Sequence, residues 1–113
     1  MSIFKFKQFN VEQKLSAAKV GTDGVLLGAW VNLDPTPSKI LDIGTGTGLI
    51  ALMLAQRSPL SYITALDIDK DAIVEASLNF ENSPWPDRLN AVHTSLQAYN
   101  TEEKFDLIIS NPP

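Results

Sequence analysis

At 113 residues, with 44% apolar side chains and a net charge of −4, the chain suits one packed domain and argues against nucleic-acid binding through its whole surface. It has no apolar run long enough for a membrane span, and Met1-Ser2-Ile3-Phe4-Lys5 lacks the apolar core of a secretory signal. The lack of cysteine excludes disulfides, thiolate metal sites and cysteine nucleophiles, a single histidine rules out a histidine-rich metal centre, and a cytoplasmic protein without metal is expected.

Phe4-Lys5-Phe6-Lys7 alternates apolar and charged residues as a half-buried strand does, and Phe9 with the polar Asn10 to Gln13 leaves that pattern. Residues 1–19 hold Lys5, Lys7, Lys14 and Lys19 against Glu12, a net of +3, whereas the remainder carries −7. The basic stretch is either an arm that guides an RNA or a solvated lysine face. Lys19-Val20-Gly21-Thr22-Asp23-Gly24 is a turn cluster, with Thr22 or Asp23 placed to cap a helix over Val25-Leu26-Leu27-Gly28-Ala29-Trp30. That helix is apolar almost all round and is expected to be buried. Asp34-Pro35-Thr36-Pro37 is a stiff connector. It separates an N-terminal segment, 1–34, from a nucleotide-binding unit, 35–113.

The unit opens with Lys39-Ile40-Leu41-Asp42-Ile43, an apolar strand interrupted by one carboxylate, then breaks into Gly44-Thr45-Gly46-Thr47-Gly48. Good helix formers, Leu49 to Ala55, follow at once. Strand, glycine turn and helix in this order describe the start of a βαβ nucleotide-binding unit, with the helix N-terminus aimed at the ligand. The spacing narrows the ligand. A dinucleotide site wants G-x-G-x-x-G, and here Gly48 falls one residue early while Asp42 precedes the glycines. A carboxylate at that strand end repels a pyrophosphate and attracts an ammonium group, which favours a cationic amino-acid ligand.

The helix runs to about Arg57, where Ser58-Pro59 stops it. Ser61 to Asp67 reads as the second strand, and Asp69 to Asp71 start a helix in which Ala72, Ile73, Ala76 and Phe80 recur at helical spacing. Asp67 ends its strand where a carboxylate accepts two hydrogen bonds from a ribose diol, and the adjacent Ile68 is placed to pack on an adenine face. Asn82 to Asp87 is a surface loop, Leu89 to Thr94 a third strand, and Phe105 to Ser110 a fourth. Strands alternating with helices predict an α/β, doubly wound parallel sheet. Asn111-Pro112-Pro113 is a rigid strand end, since proline keeps the preceding residue extended.

The motif D-x-G-x-G-x-G at Asp42, Gly44, Gly46 and Gly48 resembles motif I of the class I S-adenosylmethionine (SAM)-dependent methyltransferases. Asn111-Pro112-Pro113 looks like the start of the (N/D/S)-P-P-(Y/F/W) motif of the amino-methyltransferases. Phe6-Lys7-Gln8-Phe9 and the run from Lys19 to Trp30 are similar to the bacterial tRNA(Val) adenine-N6 methyltransferases, and this similarity covers essentially the whole chain. The resemblance implies a Rossmann-like sheet, SAM as cofactor, and N6-methylation of an adenine beside the anticodon of a tRNA. It implies that Asp42, Gly44, Thr45, Gly46 and Gly48 hold the methionine end, that Thr22 meets its carboxylate, and that Asp67 and Ile68 meet the nucleoside. In the third strand's exit the family often has an adenine-contacting Asp; this chain has Ser95, followed by Leu96. Asn111 and Pro112 would each accept a hydrogen bond from the reacting amine, localising its lone pair toward the sulfonium methyl, with Pro113 fixing the turn. SAM is already an activated donor, so positioning does most of the work.

The family has seven strands in the order 3-2-1-4-5-7-6, and an aromatic after N-P-P stacks on the extruded base. The sequence ends before both. The expectation is therefore the N-terminal half of a longer enzyme, strands one to four in the order 3-2-1-4, inactive in transfer by itself and binding SAM weakly. Its fourth strand would form an open edge that favours self-association. Two other readings stand beside this one. Leu41 to Ala51 also resembles the glutamine N5-methyltransferases of release factors, although an R-P-E-T-E segment is absent. A nucleotide-binding fragment without transferase activity is the other.

Overall fold

The computed structural model describes residues 2–5, 10–13 and 28–110. A small antiparallel hairpin comes first, β1 (Ser2–Lys5) with β2 (Asn10–Gln13), Ser2 opposite Gln13 and Lys5 opposite Asn10. The second strand corrects the sequence reading, which ended the strand pattern before Asn10. Backbone pairing with β1 holds Asn10–Gln13 extended, and a ladder of N–H and C=O groups needs no alternation of side chains.

Four parallel strands then form the main sheet: β3 (Lys39–Ile43), β4 (Tyr62–Asp67), β5 (Leu89–His93) and β6 (Leu107–Ser110). Their order is β5-β4-β3-β6, so the third, second, first and fourth core strands lie side by side as expected. Ile40 stands opposite Ile63 and Leu107, and Asp42 opposite Ala65 and Ile109. Helices α1 (Leu49–Arg57) and α2 (Lys70–Glu81) are the two crossovers that let neighbouring strands run parallel. Ile40, Ile63, Ala65, Leu89 and Ile109 pack with Leu52, Leu54, Ala76 and Phe80 in one core. Strand residues of opposite parity point to the other face, where Tyr62 and Ile108 are exposed.

Polar contacts set the boundaries. The Asp106 carboxylate accepts from the Ser38 and Lys39 amides at 2.9 and 3.1 Å, fastening the start of β3, and β6 begins only after it. Arg88, in the 3₁₀ turn Pro86–Arg88, donates to the carbonyls of Ala55, Ser58 and Ser61, joining the end of α1 to the start of β4. Arg57 donates to the Gly28 and Val31 carbonyls at the end of the helical residues 28–30. Gly28 is buried against Met53, yet Trp30 is 77% exposed, which corrects the expectation that this helix is buried on every side. Apolar composition does not say how many faces of a short helix meet a core. Val25, Leu26 and Leu27 of the expected helix lie outside the described residues.

Candidate functional site

The site lies at the carboxyl ends of β3 and β4, the usual ligand side of an open α/β sheet. Gly44, Gly46 and Gly48 have φ of 72°, 58° and 87°, all in the left-handed region. A side chain there costs about 1–2 kcal/mol per residue, so glycine is what allows the turn. The reasons differ by position. At Gly48 a Cβ would stand 2.6 Å from Phe80 Cε1, whereas at Gly44 and Gly46 it would meet no described atom within 4 Å. Gly48 is bare for the protein's packing; Gly44 and Gly46 leave backbone that a ligand can approach. The Gly44 and Thr45 amides donate to the Leu66 carbonyl, tying the turn to β4. Helix α1 starts with Gly48 as its cap, without a side-chain cap bond or an acid in its first turn. Its positive end is left for an external acceptor.

Asp42 sits beneath this turn, 1% exposed. The Thr45 hydroxyl donates to Oδ2 at 2.7 Å, while Oδ1 is the one buried side-chain polar atom among the described residues without a hydrogen-bond partner. Burial pushes the carboxyl from 3.8 up to about 7; the Thr45 bond opposes the rise and the neighbouring Asp67 charge adds to it. A buried acceptor with no donor costs free energy, and a cationic donor would remove that cost.

Asp67 is half-buried and already engaged. Oδ2 accepts from the Gly46 amide at 2.8 Å and Oδ1 from the Asp69 amide at 2.9 Å. A carboxylate offers about four lone-pair directions, so each oxygen keeps one for a further donor. Asp69 caps α2 separately, accepting from the Asp71 amide. Ile68 is 74% exposed and Leu96 48%, two apolar side chains on the β4 and β5 exits beside Asp67. The strand exits are linked, Thr94 N–H donating to the Asp67 carbonyl and His93 Nε2 standing 3.0 Å from the Ile68 carbonyl. Ser95 Oγ accepts from the Ala98 amide at 3.1 Å, closing the turn that carries Leu96.

The structure thus brings Asp42, Gly44, Thr45, Gly46, Gly48, Asp67 and Ile68 to one edge, with Ser95 and Leu96 on the adjoining strand exit. Thr22, Asn111, Pro112 and Pro113 lie outside the described residues. Two buried polar residues of α2, Glu75 and Asn79, escaped the sequence reading. Asn79 Nδ2 donates to the Thr47 carbonyl at 2.9 Å. The available signal was a polar pair at i and i+4 on the buried stripe formed by Ala72 and Ala76. A depression of about 240 Å³ opens at the opposite end of the strands, among Lys39, Tyr62, Arg88, Asn90 and Glu103. Within it Lys39 pairs with Glu103 at 3.2 Å and Arg88 donates to three carbonyls, and Asp87 also lines it. Among the described residues there is no cluster of three or more metal-ligating side chains, and no helix is long and apolar enough to cross a membrane.

Residues 16–113 match the family described as the methyltransferase small domain. The chain belongs to that family. The methyltransferase domain described here is 58% identical over 114 residues to the tRNA1(Val) (adenine(37)-N6)-methyltransferase of Christiangramia forsetii, covering 97% of the chain and 48% of the relative. It is 54% identical over 110 residues to the protein of that name from Vibrio parahaemolyticus, covering 97% of the chain and 46% of the relative. The chain thus spans about half the length of these curated relatives. Among solved structures, the plantazolicin methyltransferase BpumL in complex with SAH is 29% identical, with a TM-score of 0.58 over 66% of this chain and 27% of that one. YjhP from E. coli, 22% identical with a TM-score of 0.64 over 80% of this chain and 37% of that one, shares the fold. The methyltransferase domain therefore keeps its glycine turn, buried acid and second acid at one end of a sheet shared with other methyltransferases.

Proposed function

We propose that this chain is the cofactor-binding half of a cytoplasmic SAM-dependent methyltransferase that modifies adenine N6 in a tRNA. The observation that carries the cofactor is the unpaired Oδ1 of Asp42 beneath a turn whose Gly44 and Gly46 leave bare backbone. This combination fits an ammonium-bearing amino-acid end and does not fit a pyrophosphate. The substrate rests on the relatives, which carry the name of a tRNA adenine methyltransferase across the length of this chain.

SAM supplies a methyl group already activated on a sulfonium, so the protein's work is positioning. Asp42 takes the ammonium, and the free backbone amides at the start of α1 favour the carboxylate, helped by Thr22. Asp67 uses its remaining lone pairs on the ribose hydroxyls. Ile68 and Leu96 flank the adenine ring, and Ser95 offers its hydroxyl to the ring's edge. Asn111 and Pro112 accept from the reacting amine, and Pro113 keeps that strand end rigid. The lysines of segment 1–34 supply positive charge for the RNA backbone.

Two experiments test this reading. Calorimetry with S-adenosylhomocysteine (SAH) and with NAD should give heat for SAH alone; tight NAD binding without response to SAH would end the proposal. Labelled SAM added to the full-length protein with unmodified tRNA, and separately with release factor, should label the RNA. Label in the factor alone would move the activity to glutamine N5.

A further inference from the structure

We propose that Asn79 is a positioning residue for cofactor binding, locking one peptide plane of the glycine turn from helix α2. The inference rests on the function proposed above and adds a residue from an element that does not itself line the site.

Asn79 is 2% exposed on a helix face that it shares with Ala72, Glu75, Ala76 and Phe80. A buried amide costs free energy unless it is hydrogen-bonded, so an apolar residue would be the cheaper filler for that place. Its Nδ2 instead donates to the Thr47 carbonyl at 2.9 Å, across 32 residues of sequence. The next residue, Phe80, packs on Gly48 so closely that no Cβ fits. Two consecutive residues of α2 thus hold two consecutive residues of the turn.

The Thr47–Gly48 peptide needs holding from outside the turn. Flipping a peptide plane changes ψ of the residue before it and φ of the residue after it. Gly48 follows, with φ of 87°, and glycine accepts negative φ as readily as positive. On the Gly48 side the local chain therefore sets little barrier of its own against the flip. In the structure the Thr47 carbonyl points to Asn79 and the Gly48 amide points to the Thr45 carbonyl at 2.9 Å. Thr45 in turn holds the Asp42 carboxylate through its hydroxyl. Losing the Asn79 bond releases the flip, breaks the Gly48–Thr45 bond with it, and lowers the fraction of molecules whose turn is ready for a ligand. Apparent affinity falls in proportion to that fraction.

The test uses two ligands, SAH, which has the amino-acid end, and 5′-methylthioadenosine, which keeps the nucleoside and lacks that end. With Asn79→Ala, measured well below the melting temperature, the SAH dissociation constant should rise about tenfold and that of methylthioadenosine less than about threefold. Asn79→Leu, which keeps the branched four-heavy-atom side chain but has no donor, should give the same split. A second readout without ligand is the Gly48 amide resonance, which should broaden or double in either variant. Unchanged SAH affinity, or equal losses for both ligands with a single sharp Gly48 amide, would overturn the role of Asn79. Failure of the unmutated protein to bind SAH at all would overturn the proposed function as well.

Discussion

Replacing Asp42 by asparagine should remove a pH dependence of this fold's stability. The carboxyl is 1% exposed, one oxygen lacks a partner, and burial raises it from 3.8 to about 7. The folded state therefore holds this proton where the unfolded chain has released it. Stability from Asp42 is fully present below pH 3.8 and is lost as pH rises through about 7. At about 1.4 kcal/mol per pH unit the whole loss is about 4 kcal/mol, of which about 2 kcal/mol falls between roughly pH 5.5 and roughly pH 8. Asparagine at 42 has nothing to titrate, and the Thr45 hydroxyl can still bond its amide. Urea denaturation of both proteins at the two pH values gives the difference directly, since groups remote from Asp42 cancel. The unmutated protein should lose about 2 kcal/mol more than Asp42→Asn on going to the higher pH. Parallel profiles, within about 0.5 kcal/mol, would refute the claim that Asp42 is a buried acid held largely protonated below neutrality.

Other substitutions separate packing from binding. Gly48→Ala meets both positive φ and the Phe80 ring and should cost about 2–5 kcal/mol in urea denaturation. Gly46→Ala meets φ alone, costing about 1–2 kcal/mol, yet should lose SAH binding by calorimetry; equal destabilisation with intact binding would contradict this division. Asp67→Ala should weaken SAH by about 1–3 kcal/mol, and unchanged affinity would remove Asp67 from the site. If the SAH ammonium supplies the missing partner of Asp42 Oδ1, binding at pH 6 should release close to one proton. Calorimetric heats that do not depend on the ionisation enthalpy of the buffer would count against that pairing.

The sheet was legible because its strands are short apolar runs that end in punctuation: Asp42 before the glycines, Asp67 before the α2 cap. The order of the strands also came from the sequence, through the family resemblance. The placement of the candidate site residues at those strand ends was legible for the same reason, since local sequence fixes where a strand stops and which residue stands at its lip. Contacts between distant segments were not. Nothing near Asn79 says that its amide meets the Thr47 carbonyl, and nothing near Asp106 says that its carboxylate starts β3. The polar strand Asn10–Gln13 carries no alternation because its stabilising bonds run to β1. The sequence places Asp67 as a ribose acceptor; in the structure the same carboxylate holds the Gly46 amide, so the proposed ribose acid is also part of the turn.

The most direct test of the account is a crystal structure of the protein grown with SAH. The amino group should lie within hydrogen-bonding distance of Asp42 Oδ1, beneath Gly44 and Gly46, with the ribose hydroxyls on Asp67. SAH seated away from the glycine turn, with Asp42 Oδ1 still unpartnered, would contradict it.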